Sequence, residues 1–179
     1  MIILLSGSAG TGKSTVAKDV AKKFKLRHIS SGDLMRQISV KNGFDSDGEG
    51  FLKFHEYIKK HPEIDKELDS LMIKELNKGN CVSDSRLMPY LYKDKAFKIL
   101  LKVPDEVAAK RNSLRENTPL SETIKTLKER NEQNNKRYKK LYNIDVNDLS
   151  VYDLVLDTRH FSIKDMNSII IFILKKAFK

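Results

Sequence analysis

Gly7-Ser8-Ala9-Gly10-Thr11-Gly12-Lys13-Ser14, entered from the apolar run Ile2-Ile3-Leu4-Leu5, decides how the rest of the chain is read. Its pattern of glycine, four residues, glycine, lysine and a hydroxyl residue is that of a loop cradling phosphates between a strand and a helix. The residue types follow from the task. Glycines let successive backbone N–H groups converge on an anion without a Cβ in the way. A helix starting near Lys13 adds its own unsatisfied N–H groups and its dipole at the same point. Lys13 supplies a full charge toward the β- and γ-phosphates, and the Ser14 hydroxyl suits Mg²⁺. Thr15 adds a second hydroxyl.

Outward from this loop, Val16, Val20, Ala21 and Phe24 recur at helical spacing, and Arg27-His28-Ile29 reads as a second short strand. Strand, loop, helix and strand make a βαβ unit with a right-handed crossover. Ser30-Ser31-Gly32-Asp33 punctuates the second strand, with Asp33 expected to cap a helix bearing Leu34, Met35, Arg36 and Ile38. In doubly wound sheets ligands bind at the carboxyl ends of the strands. Arg36 is therefore placed to clamp a second phosphate. A Gly/Asp/Ser-rich loop over 42–50 leads to helices over 51–60 and 63–78, broken at His61-Pro62. These helices suggest an insertion over the cleft, about 33–78, that holds a second substrate. His55 and His61 read as surface or packing residues.

Cys81 to Asp84 reads as the third strand, ending in a carboxylate that would hold Mg²⁺ through water if the strand lies beside the first. A fourth strand is expected over 96–103. Asp105 then opens a helix carrying Arg111 and Arg115, four apart on one face. After the break at Asn117-Thr118-Pro119, a long helix toward Leu141 carries Arg130 and Arg137, again on one face. Like charges at helical spacing repel unless an anion or acid sits between them. The two pairs, on a hairpin spanning about 111–137, read as a cationic lid for phosphates. A fifth strand over 151–156 precedes the turn Thr158-Arg159-His160-Phe161, which reads either as an ordinary loop or, if the strand is parallel and adjacent to the first, as a turn near the glycine loop in which Arg159 or Phe161 would stack on a base; a final helix follows over 163–178.

The chain's 179 residues fit one domain, and I-L-V-rich runs spread along them argue for a packed core. A formal charge of +10 fits nucleic acid, an anionic membrane surface or an acidic small substrate, although lysines in helix-like stretches, such as Lys18, Lys22, Lys23, Lys136, Lys139 and Lys140, read first as solvated faces. No zinc or RNA-recognition signature accompanies it. A single cysteine, Cys81, makes no internal disulfide and is expected as a small buried hydrophobe, which suits the reducing cytoplasm. No run resembles a signal peptide or a membrane span.

Gly7 to Thr15, Ser31-Gly32-Asp33 through Arg36, His61-Pro62-Glu63-Ile64-Asp65, Arg86-Leu87, Lys136-Arg137-Tyr138, Tyr142 to Asp145, Asp148-Leu149-Ser150 and Tyr152 to Val155 together resemble the archaeal-type cytidylate kinases, within the P-loop nucleoside monophosphate kinases. The resemblance covers nearly the whole chain. It implies an α/β P-loop NTPase fold: a five-stranded parallel sheet flanked by helices, with a helical NMP-binding insertion and a short helical lid, in one domain over 1–179. It implies ATP as phosphate donor with Mg²⁺, and CMP, together with dCMP, as acceptor, in the cytoplasm, with neither nucleic acid nor membrane required and the protein a monomer. By match of motif, Gly7, Ser8, Ala9, Gly10, Thr11, Gly12, Lys13, Ser14 and Thr15 would bind ATP, and Ser14 and Asp84 the metal. Ser31, Asp33, Arg36, Arg86 and Arg111 would hold the acceptor, and Lys13, Arg115, Arg130 and Arg137 the transferring phosphoryl group. Two departures bear on base preference. Ser85 follows Asp84 where glycine is usual, and Met88 and Pro89 replace small residues after Arg86-Leu87. A kinase of another acceptor (AMP, UMP or a metabolite alcohol) and a nucleotide-dependent assembly factor that binds RNA through its basic surface remain open as readings of the same residues.

Overall fold

Successive side chains of β1 (Ile2–Ser6) leave the strand on opposite sides, and both sides are dry. Leu4 enters one apolar cluster, with Ile29, Phe54, Met72, Leu76 and Met88, while Ile3 and Leu5 enter another, with Val16, Val20, Ile170 and Leu174. A strand buried on both faces belongs in the middle of a parallel sheet. The computed structural model, which describes residues 1–178, has the five-stranded sheet in the order β2-β3-β1-β4-β5, every pairing parallel.

After β1 come α1 (Lys13–Phe24), β2 (Arg27–Ser30), α2 (Ser31–Lys41), α3 (Gly48–Ile58), α4 (Pro62–Asn77), β3 (Cys81–Asp84) and the short α5 (Met88–Leu91). The chain continues through β4 (Phe97–Lys102), α6 (Asp105–Glu116), α7 (Leu120–Tyr142), β5 (Leu154–Asp157) and α8 (Ile163–Ala177). Helices α2 to α5 cover one face of the sheet, and α1 and α8 the other. A smaller cluster, Ala108, Ala109 and Leu127 with Ala9 and Val103, seats the α6–α7 hairpin against the loop after β1. Cys81 is wholly buried at the start of β3. Among the described residues no helix is long and apolar enough to cross a membrane.

Several local expectations are corrected. Ser30, not Asp33, caps α2: its extended backbone lets its hydroxyl accept from the Asp33 N–H at 3.3 Å, which puts Asp33 inside the first turn. Helix α3 begins at Gly48, so part of the expected loop is helical. Pro119 sits just outside α7 instead of in its first turn. β5 starts at Leu154, because Asp153 is held at the sheet edge by its side chain, which accepts from the Lys98 N–H at 2.8 Å. It also pairs with β4 and not with β1.

Candidate active site

The loop between β1 and α1 is shaped by what it excludes. Gly10 has φ +83° and lies so close to α6 that a Cβ would meet the Ala108 carbonyl oxygen at 2.6 Å. Gly12, at φ +84°, is the left-handed residue from which α1 starts, and a Cβ there would strike Ile163 and Met166 of α8. Thr11 is buried, and its hydroxyl donates to the Ser8 carbonyl at 2.9 Å, closing the loop on itself. Ser14 and Thr15 are exposed at the first turn of α1.

Parallel pairing of β1 with β3 sets Leu5 opposite Asp84, and pairing of β2 with β3 sets Ser30 opposite the same residue. The carboxyl ends of three strands therefore meet at Asp84. Lys13 Nζ lies 3.7 Å from Asp84 Oδ1, and His28 Nε2 3.6 Å from Oδ2. Burial works against the Asp84 carboxylate, but His28, Lys13 and Ser14 beside it outweigh that and hold its pKa below the usual range. Oδ2 is buried without a hydrogen-bond partner among the described residues. The Ser31 hydroxyl donates to the Asp84 carbonyl at 3.1 Å, tying the start of α2 to the end of β3.

Positive charge accumulates above this point. Burial pulls the pKa of Lys13 down; Asp84 opposes this, while Arg86 and Arg130 push it further down. Arg86, just past β3, is depressed first by burial and also by repulsion from Arg130 and Arg137 of α7. His55 of α3 is lowered to about 4, by burial and then by the same two arginines, so it is neutral near pH 7. Three separate parts of the chain, the loop with β3, α3 and α7, thus share one electrostatic centre containing Lys13, Arg86, Arg130 and Arg137. An arrangement of cations this dense is what a polyanion would stabilise. Arg36 is exposed on α2. Its guanidinium folds back on Asp33 at 3.2 Å and lies 5.6 Å from the centre of the Phe51 ring.

Arg111 and Arg115 do share a face of α6, but that face turns elsewhere. Arg111 donates to the Gly10 carbonyl at 3.3 Å and to the Thr158 carbonyl at 2.8 Å, fastening α6 to the glycine loop and to the turn after β5. This differs from the expected place beside an acceptor phosphate, because the short turn after β5 brings Thr158 within the arginine's reach. Arg115 is exposed and paired with Glu116 at 2.6 Å. Both line a cavity of about 400 Å³ with Gly10, Gly12, Phe161 and Ile163. Phe161 therefore stands beside the glycine loop although β5 is not the neighbour of β1, whereas Arg159 is engaged by Asp157.

Ser85, Met88 and Pro89 are absorbed into packing. The Ser85 hydroxyl accepts from the Leu87 and Met88 N–H groups, and Met88 and Pro89 are buried in α5. The sequence reading gives Asp65 no role beyond its place in the His61 to Asp65 motif and does not single out Asp69. Asp65 and Asp69 occupy positions on α4 that otherwise carry buried Ile64, Leu68, Met72 and Leu76. Acids at core-facing positions of an apolar helical stripe were the available signal.

Residues 2–160 match the Cytidylate kinase-like family. The chain is 42% identical over 166 residues to a cytidylate kinase of Pyrobaculum islandicum, an alignment covering 92% of this chain and 88% of that one. It is 37% identical over 174 residues to a cytidylate kinase of Methanocaldococcus jannaschii, covering 95% of each. Among solved structures, an uncharacterized protein from Eubacterium ventriosum superposes with a TM-score of 0.73 at 15% identity over 98% of both chains. The shikimate kinase from Acinetobacter baumannii, in complex with shikimate, gives 0.61 at 17% identity over 99% of this chain and 95% of that one. The last two are likenesses of fold. With the glycine loop, the sheet order and these relatives agreeing over nearly its whole length, the chain belongs to the cytidylate kinase-like family.

Proposed function

We propose that this protein is a cytidylate kinase, transferring the γ-phosphoryl group of ATP to the phosphate of CMP to give ADP and CDP, with dCMP as a second acceptor. The observation that carries the reading is the shared centre of Lys13, Arg86, Arg130 and Arg137 above the strand ends. One phosphorylated ligand would not need cations from the loop, the third strand and the lid together; two ligands meeting end to end would.

On this reading residues 7–15 hold the ATP phosphates, and the cavity between α6 and α8, with Phe161 and Arg115 at its wall, receives the adenosine end. Arg36 and Arg86, with Ser31 and Asp33 at the start of α2, receive CMP. The segments about 33–78 and 111–137 serve as the acceptor-binding insertion and the lid of one domain. The acceptor oxygen is already anionic, so no side chain need remove a proton as it bonds to the γ-phosphorus and the bridge to the β-phosphate breaks. Lys13, Arg130 and Arg137 spread their charge over the equatorial oxygens as the phosphoryl group passes. Closure of α7 over the cleft keeps water from competing as acceptor.

A Mg²⁺ ion suits the oxygen donors at the strand ends. Asp84 Oδ2 is buried without a partner, and the Ser14 hydroxyl lies beside the carboxylate. Ser14 would bind the ion directly and Asp84 through water, and the ion held there would neutralise part of the charge on the phosphates. The Lys13–Asp84 pair would open as Lys13 turns to the nucleotide.

On this reading one chain would carry both substrate regions, so a monomer would suffice, and the single, buried Cys81 suits the reducing cytoplasm. Purified protein with ATP and Mg²⁺ is expected to form ADP only when a nucleoside monophosphate is present, with CMP preferred over AMP and UMP. ADP release that is equal with and without every monophosphate would overturn the reading. An RNA-binding factor would instead show salt-sensitive RNA affinity that changes with ATP.

A further inference from the structure

The lid helix does not stand free of the insertion. On α4, Asp65 and Asp69 are four residues apart and so share a face, and both are nearly closed to solvent, at 6% and 9% exposure. Both meet α7. Arg137 Nη1 lies 3.4 Å from Asp65 Oδ1, and the Tyr142 hydroxyl donates to Asp69 Oδ2 at 2.5 Å. Arg137 Nη2 also donates to Asn134 Oδ1 at 3.1 Å, one turn back on its own helix. Burying a carboxylate is costly unless a cation or donor compensates it. Burial does push the Asp65 carboxyl upward, with Arg137 pulling the other way.

The two contacts do different things. Tyr142 on Asp69 is a neutral donor at the far end of α7, and it fixes the helix. Asp65 takes hold of a guanidinium that already feels Arg86. That guanidinium has five N–H donors. Asp65 and Asn134 engage its two terminal nitrogens, while the Nε–H is buried with no acceptor among the described residues. The group is therefore oriented but not saturated, and it keeps donors for a phosphate oxygen.

We propose that Asp65 is a positioning residue for phosphoryl transfer, holding the Arg137 guanidinium toward the cationic centre from the insertion side. Because Asp65 is carried by the insertion and Arg137 by the lid, the arginine reaches its working place only when the insertion is in its own. Acceptor binding and assembly of the charge around the reacting group are linked through this one ion pair. The proposal rests on the reading of Arg137 as an arginine of the reacting phosphates.

A double-mutant cycle tests it, using Asp65→Asn, Arg137→Ala and the double variant, with kcat and both KM values measured alongside thermal unfolding. Asparagine keeps the shape of the side chain and removes its charge. The expected result is a fall in kcat of about tenfold or more for Asp65→Asn, with KM for ATP within about twofold of the parent. The double variant should be no slower than Arg137→Ala alone, because the second change removes the orienter of a group already gone. Tyr142→Phe, which loosens α7 without touching the arginine, should lower the melting temperature and leave kcat within about twofold. Asp65→Asn at the parent kcat overturns the proposal while leaving the role of Arg137 standing. So does an equal slowing by Asp65→Asn in the parent and Arg137→Ala backgrounds, or a loss in Tyr142→Phe as large as in Asp65→Asn, since either marks a structural tie. Parent-like kcat in Arg137→Ala overturns the underlying reading and the proposal with it.

Discussion

The two ends of the cleft are built from different materials. At the glycine loop the walls are backbone: Gly10 against the Ala108 carbonyl, Gly12 against α8, Thr11 closing on Ser8. At the α4–α7 face the walls are long side chains, with Arg137 on Asp65 and Tyr142 on Asp69. Backbone walls admit almost no adjustment, because a closely packed interior transmits a shift instead of absorbing it. Side-chain contacts can be remade with other partners, provided that each buried carboxylate keeps a donor or a cation. On the proposed function the glycine loop would be the donor end, shaped before substrate arrives, and the α4–α7 face would belong to the acceptor end, held by side chains alone.

That contrast can be broken experimentally, beginning where the expected effect is largest. Lys13→Ala should lower kcat by about 10²-fold or more with the melting temperature nearly unchanged, since Lys13 serves charge and not packing. A stopped assay with ATP and CMP measures this, and near-normal turnover would mean the loop binds phosphate without acting on it. Arg130→Ala should cost about ten- to a hundredfold in kcat, as the contribution of α7 to the same charge. If it changed only KM for CMP, Arg130 would be a holder of substrate and not of the reacting group.

Gly10→Ala tests the backbone wall itself. A Cβ 2.6 Å from a carbonyl oxygen, at a positive φ, should destabilise the fold by about 1–3 kcal/mol in chemical denaturation. No loss would mean that α6 yields, and the donor end would then be no stiffer than the other.

Asp69 sharpens the comparison through pH. Burial raises its pKa to about 6 in the folded protein, above the ordinary carboxyl value. The folded chain then holds this proton more tightly than the unfolded chain. The stability so gained is complete below about pH 4 and lost as pH rises through about 6. Asp69→Asn should remove the dependence. The melting difference between parent and variant should shrink or reverse between pH 4 and 7, by of order 1–2 kcal/mol. A constant difference would place the ionised carboxylate comfortably at that site. The smallest effect is expected from Arg115→Ala. Its exposed pairing with Glu116 contributes little, and KM for ATP should change by about two- or threefold.

Sequence and structure agree best where function is written into backbone chemistry. The glycine loop, the burial of β1 on both faces and the carboxylate ending β3 follow from residue type and spacing alone, since each depends on near neighbours in the chain. Much of the rest is set by distant partners. Arg111 and Arg115 have the same helical spacing as a phosphate clamp, yet the side of α6 they occupy is decided by Ala108 and Ala109 docking beside Ala9. Ser85, Met88 and Pro89 read as changes at a substrate surface; Met88 and Pro89 are buried in α5, a four-residue helix with no period long enough to recognise, and the Ser85 hydroxyl accepts from the Leu87 and Met88 N–H groups at its start. Asp65 and Asp69 interrupt an apolar stripe, but their partners lie more than 70 residues away.

The buried thiol of Cys81 gives the fold an internal clock. It sits at 0% exposure at the start of the strand between β2 and β1, and burial pushes its pKa up, so the native protein offers an alkylating reagent almost no thiolate. With no other sulfhydryl in the chain to compete, each labelled molecule records one opening of the sheet's centre. The rate of modification in dilute denaturant therefore times the loss of the strands whose ends meet at Asp84.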